Sequence, residues 1–111
     1  MLTIDNLKEY GANIEEGLAR CMNNEGFYIM LVNKVKQDKR LSILEEQIGN
    51  KDLDAAFESA HTLKGMFANL SLTPLCEPIN QITELLRSRT DTDYSSLLNE
   101  AKSQFERLCS L

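Results

Sequence analysis

Asp52-Leu53-Asp54-Ala55-Ala56-Phe57-Glu58-Ser59-Ala60-His61-Thr62-Leu63-Lys64-Gly65-Met66-Phe67-Ala68-Asn69-Leu70 is the clearest amphipathic helix in the chain. Leu53, Ala56, Phe57, Ala60, Leu63, Phe67 and Leu70 recur at helical spacing and form one apolar stripe. Asp52 precedes them as an N-cap, a carboxylate able to accept a backbone N–H that the first turn leaves unpaired. The only histidine, His61, falls roughly 80° around the axis from Leu53, beside the stripe and not within it. Lys64, Gly65 and Ala68, its i+3, i+4 and i+7 neighbours, lie on the same strip.

Working outward, Leu41, Leu44 and Ile48 form a second stripe that predicts a short helix from about residue 40 to 48, stopped by Gly49-Asn50. The stripe of Phe27, Leu31 and Val35 does not continue into it, because Asp38, Ser42 and Glu45 stand where apolar residues are due. The register slip places a break at Asp38 to Arg40. From Glu25 to Gln37 the pattern is helical, yet Phe27 to Val32 are apolar in nearly every direction. That helix therefore needs cover from the N-terminal segment, or leaves an apolar face for a partner. Residues 3–10, with Ile4, Leu7 and Tyr10 before Gly11, and residues 13–22, opened by Asn13 with Ile14 and Leu18 inward, read as two short helices forming a lid.

Downstream, Thr73-Pro74 reads as N-cap and first residue of a helix with Leu75, Ile79, Ile82 and Leu86 inward. Pro78 lacks the N–H of an early helical bond, which predicts a distorted first turn or a start delayed to about residue 77. Asp93 is expected to cap a last helix carrying Tyr94, Leu97, Leu98, Ala101, Phe105 and Leu108 on one face. The pattern predicts an all-α protein, an antiparallel four-helix bundle with short additional N-terminal helices. Residues 1–111 are expected to make one domain, with 1–23 as lid and 25–110 as bundle.

Composition narrows the functional classes. A net charge of −5 over 111 residues, with no Lys/Arg run, opposes the positive field that a nucleic-acid backbone requires. The longest apolar run, Phe27 to Val32, is far too short to cross a bilayer, and the first residues lack a basic segment followed by an apolar one. A cytoplasmic protein, with neither nucleic acid nor membrane as partner, is expected. Cys21, Cys76 and Cys109 are odd in number and widely spaced, so they read as reduced thiols filling apolar positions. One histidine without a second imidazole or thiolate at ligand spacing argues against a metal site, and no glycine-rich nucleotide loop is present. No cofactor is expected.

The chemistry concentrates on the strip of His61. A glycine inside a helix costs about 0.5–1 kcal/mol relative to alanine, so Gly65 asks for a local reason. Clearance is one, since a bare position one turn above an imidazole lets another surface approach the ring, and Ala68 extends the clearing. Lys64 stands one turn away, within reach of oxygens attached to the ring. Imidazole is a nucleophile able to form a covalent intermediate, and phosphoryl transfer depends mainly on positioning and charge neutralisation.

His61-Thr62-Leu63-Lys64-Gly65, followed by Ala68-Asn69-Leu70, resembles the motif of the histidine-containing phosphotransfer (HPt) domains of bacterial two-component phosphorelays. The helix order and the placing of Leu72, Leu75 and Leu86 are similar over nearly the whole chain. The resemblance implies that His61 is the phosphoacceptor, Lys64 the phosphate-neutralising cation and Gly65 the clearance residue. It implies exchange of a phosphoryl group with the aspartate of a response-regulator receiver domain, and supply from a histidine kinase, directly or through a receiver. Any Mg²⁺ would then belong to the receiver. The chain would be a monomeric phosphotransfer intermediate without kinase activity of its own. Gly65, Ala68, Phe27, Leu31, Thr83 and Arg87 are the expected partner-facing residues, with Thr83 where some members place a glutamine and Arg87 one turn later. Ser71 replaces a common glycine, Phe67 exceeds the usual small residue, and Pro78 interrupts the next helix. Two alternatives keep the bundle: a non-catalytic helical adaptor, and the excised phosphoacceptor domain of a chemotaxis-type kinase.

Overall fold

The central helix has the form its apolar stripe demands. In the computed structural model, which describes residues 1–111, Asp52 accepts the Ala55 N–H at 3.2 Å and the helix runs from Leu53 to Asn69. Its Ala56, Ser59, Ala60, Leu63 and Phe67 are buried. We number the helices α1 (Ile4–Tyr10), α2 (Ile14–Arg20), α3 (Glu25–Gln37), α4 (Arg40–Gly49), α5 (Leu53–Asn69), α6 (Thr73–Arg87) and α7 (Ser95–Cys109). There are no strands, and no helix is long and apolar enough to cross a membrane.

Helices α4 to α7 pack as a bundle, each against the next along the chain, with α5 and α6 sharing the most extensive contact. Short connections force successive helices to run antiparallel. Leu41 and Leu44 of α4, Leu63 and Phe67 of α5, Ile79, Ile82 and Leu86 of α6, and Leu98 and Leu108 of α7 are buried in one continuous core. The break after α3 is where the register slip puts it, and Asp38 accepts the Arg40 N–H at 2.7 Å to start α4.

Two helix starts differ from expectation. Leu72, not Thr73, is the N-cap of α6, and the helix begins at Thr73 without delay and continues through the buried Pro78. Pro78 is buried, and the helix passes through it unbroken although one early backbone bond is forgone. At α7 the N-cap is Tyr94, a buried residue whose hydroxyl donates to the Thr90 carbonyl at 2.7 Å. Asp93 still accepts the Ser95 N–H, at 2.9 Å, and hydrogen bonding from Ser95 holds its carboxyl below the usual carboxylate range.

The N-terminal helices cover the bundle at specific points. Thr3 and Asn6 form a reciprocal capping pair at the start of α1, and Gly11, at φ +114°, ends it in the left-handed region that only glycine enters freely. The Tyr10 hydroxyl then reaches the Gln104 carbonyl of α7 at 3.0 Å. From α2, Arg20 Nη1 donates to the Ala68 carbonyl at 2.7 Å, placing a cation at the negative end of α5. Ser71 has φ +53°, in the left-handed region that favours glycine, and its hydroxyl donates to Glu16 Oε1 of α2 at 2.9 Å.

The N-terminal segment covers part of the apolar circumference of α3, and part of it stays uncovered. Tyr28 is fully buried against α2, with its hydroxyl donating to the Leu70 carbonyl at 2.8 Å, while Val32 and Val35 face the core. Phe27 and Met30 remain exposed, at 38% and 44%.

Candidate functional site

His61 is exposed on the outer side of α5, next to the buried Ala60 and one turn before Lys64 and Gly65. Its ring lies against Phe57, the residue one turn earlier, with centroids 5.8 Å apart and planes inclined by 37°. Phe57 borders the imidazole, and the residue as a whole stays exposed. On the next turn, a Cβ built on Gly65 would meet no atom within 4 Å. Close packing of another helix is therefore not what Gly65 serves, and the space above the imidazole is open.

The charges around the ring come from two helices. Lys64 Nζ, half-buried, is 3.8 Å from Glu84 Oε1 on α6, and Arg87 Nε of α6 is 3.3 Å from Glu84 Oε2. The Arg87 guanidinium carbon sits 5.2 Å from the centre of the Phe57 ring, and that of Arg89 sits 5.1 Å from it. Arg89 follows α6 in a left-handed conformation and is paired with Asp54 at the start of α5. Three cations thus stand within one or two side chains of the histidine, in a protein whose net charge is negative.

The expected site residues divide clearly. His61, Lys64, Gly65 and Ala68 share one face of α5, and Arg87 joins them from α6. Ala68 is half-buried. Leu31 belongs to a shallow groove of about 260 Å³ that it lines with Val35 of α3 and Met66, Asn69 and Leu70 at the end of α5. Phe27 lies one turn before Leu31 on α3 and is partly exposed. Thr83 is the exception. It is fully buried in α6 with its hydroxyl donating to the Ile79 carbonyl at 2.7 Å, so it presents nothing to a partner. The inward stripe of α6 accounts for this, since position 83 falls one turn from both Ile79 and Leu86.

Sequence reasoning left Phe57 as a core residue and passed over Glu84 and Arg89. Phe57 at i−4 from His61 was readable as a contact. The other two reach the site from a neighbouring helix and its following loop, and no spacing within one element announces that.

The model of the Hpt domain family matches residues 34–110, which is more than half of the chain. The chain belongs to the Hpt domain family. The match takes in all of α4 to α7 and the end of α3, so the His61 face lies inside it and α1 and α2 lie outside. No curated protein and no solved structure matches the chain. Membership gives this Hpt domain a phosphotransfer role, and Hpt domains generally relay phosphoryl groups between kinases and receiver domains.

Proposed function

We propose that His61 is the phosphoacceptor, receiving a phosphoryl group from the aspartate of a response-regulator receiver domain and returning it to the same class of acceptor. The observation that carries this reading is that a chain with a phosphotransfer role has a single histidine, and that histidine is exposed beside an open glycine. In the accepting direction, the unprotonated ring nitrogen attacks phosphorus. An N–P bond forms as the acyl O–P bond of the aspartyl phosphate breaks, and the bonding pair leaves with the aspartate carboxylate. The reverse step regenerates aspartyl phosphate and free imidazole. Lys64 neutralises charge on the phosphoryl oxygens, and Arg87, which lies over the Phe57 ring that borders His61, assists. Gly65, Ala68, Leu31 and Phe27 supply the surface on which the receiver settles.

Incubation with a receiver phosphorylated with radiolabel tests this. Label is expected to move to the wild-type chain as an acid-labile, base-stable adduct, and to be lost in His61→Gln with the helical fold retained by circular dichroism. Failure to label with several receivers, the outcome for a helical adaptor, overturns the proposal. Label persisting in His61→Gln overturns the residue assignment.

A further inference from the structure

The carboxylate of Glu84 is divided between the two cations that the transfer chemistry calls on. Its Oε1 lies 3.8 Å from Lys64 Nζ and its Oε2 3.3 Å from Arg87 Nε. Arg87 in turn touches Phe57, and Phe57 touches the ring of His61. Arg89 is held separately by Asp54, so Glu84 is the anion paired with both Lys64 and Arg87. The side chains of Lys64, Arg87 and Glu84 are 37%, 50% and 59% exposed, so all three can rearrange without disturbing the core.

A phosphoryl group on His61 brings its own negative oxygens to the same cations. We propose that Glu84 is an intrinsic competitor for that group. It occupies Lys64 and Arg87 while His61 is free and yields them when His61 is phosphorylated, so its charge sets how readily the phosphoryl group is passed on. Glu84 is a positioning residue in this scheme, acting through the two cations and touching no reacting atom. Its pairing stabilises the unphosphorylated state, and its charge repels the phosphoryl oxygens in the phosphorylated one. Both effects favour donation. The inference rests on His61 being the phosphoacceptor.

The decisive quantity is the equilibrium ratio of phosphorylated chain to phosphorylated receiver, approached from both sides. That ratio depends only on the free energies of the separated species, so a change in how the partners dock cannot move it. Ion pairs this exposed alter an equilibrium constant by only a few-fold. Glu84→Gln is therefore expected to raise the phosphorylated fraction of the chain about two- to five-fold relative to wild type. The difference should shrink at 1 M salt, where the screening length is about 3 Å, and Glu84→Asp should stay near wild type. Wild-type chain that takes no label overturns the phosphoacceptor reading and this inference with it. Wild-type chain that labels, with an equal or lower ratio in Glu84→Gln, overturns the role of Glu84 alone.

Discussion

A methyl group at Gly65 would meet no atom within 4 Å, so the missing side chain answers no demand of packing inside the molecule. Stability and access should therefore separate at this residue. Gly65→Ala is expected to raise the free energy of unfolding by about 0.5–1 kcal/mol, measured in urea, because alanine is the better helix former and the site accepts it. Gly65→Gln should fold equally well and slow phosphotransfer with a receiver by about tenfold, a barrier increase near 1.4 kcal/mol, by filling the approach to His61. Transfer at the wild-type rate in Gly65→Gln would show that clearance is not its purpose. At this scale the sequence was most legible where one helix carried everything: His61, Lys64, Gly65 and Ala68 are related by the helical repeat alone. Glu84 was not legible, because its meeting with Lys64 depends on which face of α6 lies against α5. Thr83 was misplaced although the spacing from Ile79 and Leu86 already put it on the buried stripe.

Among the elements, the α2–α3 junction is the most closely fitted. A Cβ on Gly17 would come within 2.8 Å of a Tyr28 ring carbon, and Tyr28 is fully buried with its hydroxyl committed to Leu70. Gly17→Ala is expected to cost about 1–3 kcal/mol in urea unfolding, since the ring cannot retreat without losing that hydrogen bond. A neutral Gly17→Ala would mean that α2 shifts freely on α3. The helices themselves followed from local signals: Asn13 and Asp52 cap as their side chains require, and the slip in register before Ser42 marks the end of α3. The start of α6 did not follow, because Pro78 viewed alone argues for a break, whereas the helix starts at Thr73 and runs on through a buried Pro78.

For the molecule as a whole, buried tyrosines make stability depend on alkaline pH. Burial pushes the Tyr28 phenol up from 10.0 to about 12, and burial also raises Tyr10 against the opposing pull of Arg107. A raised folded-state value means that the stabilisation is complete below the unfolded value near 10 and is lost as pH climbs toward the folded one. Tyr28→Phe is expected to be about 1 kcal/mol less stable than wild type at neutral pH, from the lost hydrogen bond. The gap should narrow between pH 10 and about 12 in unfolding titrations. A gap constant across that range would remove Tyr28 from the alkaline response. Periodicity revealed the bundle because α4 to α7 each pack on a chain neighbour, but it could not reveal where α1 docks. That contact joins Tyr10 to Gln104, 94 residues away. The same separation bears on how the chain is made. At roughly 5–20 residues per second, the ribosome delivers Gln104 some 5 to 20 s after Tyr10. A seven-residue helix is too short to persist alone in water, so through that interval Tyr10 travels without the carbonyl its hydroxyl will bond, and this fastening of α1 waits until α7 has been made.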